Sequence, residues 1–147
     1  MVTVNLEINV TAVKGALDKI QRAVPSATNR AMSKTATFIQ TVIKDRSSQG
    51  KSVNGGGFKS YSKGYARVRS KRGASTTPNL FFSGQMFGNM TFKKLNKTKA
   101  QIFFPNRTQN LKAFFNDQTR PFFSVNAKEE TRAVAEFIKT FEREIRV

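Results

Sequence analysis

Apolar and polar residues alternate over residues 2–10, V-T-V-N-L-E-I-N-V, with Val2, Val4, Leu6, Ile8 and Val10 on one side. A period of two is the repeat of a half-buried β-strand. The repeat then lengthens. Thr11 can cap a helix in which Val13, Leu17, Ile20 and Val24 recur at three- and four-residue steps. Pro25 fits the first turn of a second helix, where its missing N–H would be unpaired anyway. That helix is expected to run to about Arg46, with Ala31, Thr35, Phe38, Ile39, Val42 and Ile43 on its buried side.

Periodicity stops at 47–57, S-S-Q-G-K-S-V-N-G-G-G, a loop by composition. A partial helix is expected within 61–72, a loop over 73–78, and a turn or short helix over 80–89. Two strands follow, 90–95 and 99–104, joined by a turn at Asn96-Lys97 and ended by Pro105. A short helix around 111–115 leads to Arg120-Pro121-Phe122-Phe123. Asn126 with Glu129 three residues on forms a capping-box start for the last helix, whose apolar stripe is Val134, Phe137, Ile138, Phe141 and Ile145. These elements predict a single α+β domain over 1–147. A small antiparallel sheet packs with long N-terminal and C-terminal helices, and a long basic loop arm, flexible or ordered by a partner, spans about 47–78.

Composition narrows the function. The 147 residues contain no Cys and no His, so thiol nucleophiles, disulfides, thiolate or imidazole metal sites and the commonest general base are all absent. Only nine acids are present, and five of them fall in the last 19 residues. No apolar run approaches the length of a membrane span, and the first residues lack the basic and apolar regions of a signal peptide. Gly50-Lys51-Ser52 resembles the end of a phosphate-binding loop, but Asp45 stands where that loop needs its first glycine, and a helix precedes it instead of a strand. The pair Glu129-Glu130 sits at a helix start, where acids are favoured by the macrodipole. We therefore expect no enzyme, no catalytic residue, no cofactor and no metal, and no small-molecule substrate.

Charge points to a macromolecular partner. The formal net charge is +17, and residues 44–112 hold fifteen basic side chains against the single acid Asp45. Within the arm, Lys51, Lys59, Lys63, Arg67, Arg69, Lys71 and Arg72 are interleaved with Phe58, Tyr61 and Tyr65. Such a run can track a phosphate backbone with aromatic stacking, dock on an acidic protein, or simply be solvated. Ten of the fourteen phenylalanines (Phe81, Phe82, Phe87, Phe92, Phe103, Phe104, Phe114, Phe115, Phe122 and Phe123) are read as core or subunit interface, because aromatic rings bury more area than most side chains.

Three features occur in a set order: a strand followed by long helices; a basic segment with Tyr61-Ser62-Lys63-Gly64-Tyr65 and then Leu80-Phe81-Phe82-Ser83-Gly84-Gln85-Met86; and Arg120-Pro121-Phe122 opening the C-terminal helix. From about residue 25 to the end, the chain resembles the tail-completion and virion-morphogenesis proteins of tailed bacteriophages, also called neck, head–tail joining or minor tail proteins. The resemblance implies a small α+β subunit that assembles in the host bacterial cytoplasm as a homo-oligomeric ring of the virion. The ring would lie between the head connector and the tail-terminator or tail-tube proteins, with DNA in its channel as one candidate for the basic arm. On this reading Leu80, Phe81, Phe82, Met86, Phe87, Phe122 and Phe123 lie at packing or interface positions. Arg120 and Pro121 are architectural, with Arg120 a candidate to pair an acid across a subunit boundary. The rival is a stand-alone basic nucleic-acid-binding protein.

Overall fold

A computed structural model describes residues 10–96 and 99–146. Five helices and one hairpin follow in order: α1 (Val10–Ser48), α2 (Lys63–Lys71), α3 (Gln85–Asn89), β1 (Thr91–Lys94), β2 (Ala100–Phe103), α4 (Arg107–Thr119) and α5 (Ala127–Ile145). The fold is α+β, as expected, with the long terminal helices packed on each other and a two-stranded antiparallel sheet beside them. The strand expected at 2–10 falls outside the described residues except for Val10, which opens α1.

The two N-terminal helices expected from sequence are one helix of 39 residues, about 58 Å long at 1.5 Å per residue. Thr11 lies inside it instead of capping it, and Pro25 is an interior residue. Proline's fixed φ is itself helical, so the chain can pass through it at the loss of one hydrogen bond. Both Pro25 and Gln21, whose carbonyl loses its donor, are exposed, and water can take that donor's place. From Ala27 onward the helix is held by α5. Ala27, Ala31 and Ala36 on α1 and Ala133 and Thr140 on α5 are buried. Small residues at these positions let two backbones approach closely.

Two ion pairs join these helices, one of them buried. Arg46, near the end of α1, donates through Nη1 to Glu129 Oε2, and both side chains are about nine-tenths buried. Nη2 of Arg46 donates to the carbonyls of Phe122 (2.6 Å) and Ser124 (2.7 Å). The same Glu129 oxygen accepts the Asn126 backbone N–H at 3.0 Å, while Asn126 Oδ1 accepts from Glu129 N, completing the capping box. At the far end of α5, Glu144 bonds Arg30 at 2.6 Å and Arg143 at 3.0 Å. These hydrogen bonds to Arg30, then Arg143, hold the Glu144 carboxyl below the usual carboxylate range.

The core is built by Ile43, Phe58, Met86, Phe87, Met90, Phe104, Ala113 and Phe122. The hairpin strands end one residue inside each expected end, Phe92 pairs with Ile102, and Gln40 of α1 donates to the Met90 carbonyl at 3.2 Å. The segment 47–78, expected as a flexible or partner-ordered arm, is tied into the domain instead. Val53 N donates to the Pro121 carbonyl (2.9 Å) and Asn126 Nδ2 to the Val53 carbonyl (3.2 Å), so the loop tip rests on the start of α5. Phe58 then enters the core. Gly50 makes the turn possible: its φ is +71°, and a Cβ there would lie 2.6 Å from the Pro78 carbonyl oxygen.

Two outcomes follow for stability. Arg46→Met leaves Glu129 buried without its cation and should cost about 3–5 kcal/mol, whereas the paired change R46M/E129L should recover most of it; chemical denaturation of the three chains measures both. Glu144→Gln should lower the thermal midpoint at neutral pH. A carboxyl with a lowered pKa in the folded state contributes above its ordinary value of 4.5 and loses that contribution as pH falls through the lowered one. The difference between the variant and the parent should therefore vanish on acidification below that range.

Candidate nucleic-acid and subunit interface

The basic residues expected at a contact surface divide into two groups. Ser62 caps α2 by accepting from Tyr65 N, and along the helix Lys63, Arg67 and Lys71 recur every four residues. That spacing puts them on one face, neighbours separated by about 6 Å. All three are exposed, and none has an acidic partner among the described residues. Arg72 at the helix end and Lys51 and Lys59 in the preceding loop are exposed as well, Lys51 donating to Gln49 Oε1 at 2.9 Å.

Arg69 belongs to the other group and corrects the expectation. It lies on the opposite side of α2 at 1% exposure. Its Nε donates to the Ser75 carbonyl (2.6 Å) and its Nη2 to Asn79 Oδ1 (3.2 Å) and the Phe81 carbonyl (2.9 Å). The guanidinium also sits 4.8 Å from the Tyr61 ring centre and 5.4 Å from that of Phe82. It is a clamp that folds residues 75–81 back onto α2, where Leu80 takes the left-handed φ of 59°. Sequence cannot separate it from its neighbours, since only the helix phase turns it inward.

Arg120 is likewise engaged within the chain. Nε donates to the Lys59 carbonyl (2.8 Å), Nη2 to the Ser60 carbonyl (3.2 Å), and the guanidinium stacks 4.9 Å from the Tyr61 ring centre. Within the chain its contacts are thus to the 59–61 segment. The two arginines and Tyr61, Tyr65 and Phe82 border an open cavity of about 530 Å³, with Lys112 of α4 on its far side. Gln109 contributes a buried Oε1 there with no partner among the described residues.

Most of the aromatic positions expected at packing or interface sites are packing. Phe122 is wholly buried, Met86 and Phe87 are buried, and Leu80, Phe81 and Phe123 pack against them. Phe87 stacks on Phe81 at 4.4 Å and meets Phe122 edge-on at 5.5 Å. Pro121 is half-buried and spends its carbonyl on Val53. Phe82 is exposed, with Arg72 5.5 Å from its ring centre.

The open apolar surface lies elsewhere. On α4 the inward side is Gln109, Ala113, Asn116 and Asp117, while Leu111, Phe114 and Phe115 face outward, Phe115 at 62% exposure. Asp117 explains the inversion. Its Oδ1 accepts the backbone N–H of both Phe122 and Phe123 at 2.8 Å, so the polar side of α4 is needed inside to turn the chain. On α5 the apolar stripe is offset from α1: Glu129, Ala133 and Thr140 are buried, whereas Val134 and Ile138 are about half exposed. On α1, Leu17, Ile20 and Val24 are exposed on the part that extends beyond the Arg30–Glu144 contact.

Compared with known proteins, the chain matches no family model, no curated protein and no solved structure. Among the described residues no cluster of acids could hold a metal ion, and no helix is long and apolar enough to cross a membrane.

Arg69→Ala should cost about 2–3 kcal/mol through its lost charged hydrogen bonds. The triple change K63A/R67A/K71A should stay within about 0.5 kcal/mol, as surface substitutions do. Urea denaturation separates the clamp from the ridge.

Proposed function

We propose that this chain is a non-enzymatic structural subunit of a tailed-phage neck, forming a ring that joins the head connector to the tail. The observation that carries the reading is the outward apolarity of three helices: Leu17, Ile20 and Val24 on α1, Leu111, Phe114 and Phe115 on α4, and Val134 and Ile138 on α5. A monomer seldom exposes so many large apolar side chains in runs, and such faces mark protein–protein contact. Faces at several different places suit a subunit with neighbours on either side and rings above and below it. Closure of such a ring is heterologous, one patch meeting a different patch on the next copy. The α+β frame is compatible with the resemblance to tail-completion proteins. The ridge of Lys63, Arg67 and Lys71, repeated round a ring, supplies positive charge toward DNA in the channel or an acidic neighbouring ring.

Electron microscopy of a lysate from phage carrying a nonsense mutation in this gene tests the role. DNA-filled heads beside complete, unattached tails are expected; normally joined particles would overturn it.

The ridge also favours a second reading, a stand-alone nucleic-acid-binding protein. That reading requires tight binding by the isolated subunit and a steep loss of affinity with rising salt, relieved by K63A/R67A/K71A. The ring reading expects weak binding by the isolated subunit.

A further inference from the structure

We infer that the projecting half of α1 from one copy docks on the exposed stripe of α5 on the next copy, so that subunits join head to tail. The inference rests on the ring reading and names the contact that would build it. Two apolar faces are available for the purpose. Leu17, Ile20 and Val24 recur at three- and four-residue steps along a helix segment that has outrun its own α5. Val134 and Ile138 form the open part of the α5 stripe, continued by the half-buried Phe141 and Ile145.

Charge selects between the possible pairings. The α1 segment carries Lys14, Lys19 and Arg22, all exposed, against the single acid Asp18. The α5 stripe is flanked by Glu130 on one edge and Glu142 on the other, both exposed and without an ion pair among the described residues. Asp18, Asp45 and Glu136 are likewise without an ion pair among the described residues, but Glu130 and Glu142 are the two that border the α5 stripe. The α4 face is bordered by the basic Arg107 and by no free acid, since Asp117 is engaged on the inner side, and it would not attract the α1 segment. Opposite charges round a shared apolar strip set which face meets which. A segment of one copy cannot reach its own α5 stripe, because that stripe lies to the side of the α1–α5 contact. Contact between two different patches is the arrangement that repeats round a ring.

The absence of cysteine makes the test direct. Full-length chains carrying Ile20→Cys and Ile138→Cys together, oxidised at high protein concentration, should give a ladder of disulfide-linked multimers on a non-reducing gel. Each single variant should stay monomeric, and a mixture of the two singles should give a dimer. Adding Glu130→Lys and Glu142→Lys to the double variant should abolish the ladder, and Lys19→Glu with Arg22→Glu should restore it. Dimers from Ile20→Cys alone would mean that α1 pairs with α1 and would overturn the inference. Multimers insensitive to the charge changes, or none at all, would overturn it too. A failed ladder together with unjoined heads and tails in the mutant lysate would remove this contact and leave the joining role standing.

Discussion

The buried pair of Arg46 and Glu129 is the point through which the rest of the structure is connected. One guanidinium ties the end of α1 to the first turn of α5 and to the carbonyls of Phe122 and Ser124. The 120–126 segment it holds is in turn the platform for the loop tip at Val53 and for Phe122, the most buried aromatic of the core. A buried ion pair seldom adds much net stability over an apolar replacement, but it admits one geometry and penalises others heavily. Here it fixes where α5 begins and which of its sides meets α1. The consequence reaches the surface: with Glu129, Ala133 and Thr140 turned inward, Val134 and Ile138 have to face out.

The same trade recurs on α4. Its polar side is consumed inside, where Asp117 receives the backbone of Phe122 and Phe123, and its aromatic side is left to the surface. Two helices are thus oriented by polar contacts against their own hydrophobic preference. An isolated monomer gains nothing from that arrangement. A subunit that covers these faces with its neighbours recovers the burial on assembly, and the polar contacts ensure that the faces are presented in one orientation.

Much of this fold was legible in the sequence. The hairpin strands, to within one residue at each end, and the start of the last helix at Asn126 with Glu129 follow from local chemistry. Three features did not follow. Pro25 reads locally as a boundary, but the packing of Ala27 and Ala31 against α5 carries the helix through it. The basic run at 47–78 reads as an arm, because composition does not reveal that Phe58 and Arg69 turn inward. The amphipathic phase of α5 finds the apolar side of that helix. It cannot say whether that side meets this chain's core or another chain. That decision was made by Arg46 and Glu129, whose partners lie far away in sequence or across a turn.

The central claim is that the apolar sides of α1, α4 and α5 are covered by other subunits. Sedimentation velocity of the purified full-length chain over a wide concentration range tests it most directly. The account predicts a shift from monomer toward larger closed species as concentration rises, weakened by V134E/I138E while the fold is retained. A chain that stays monomeric throughout, with that double change without effect, would contradict it.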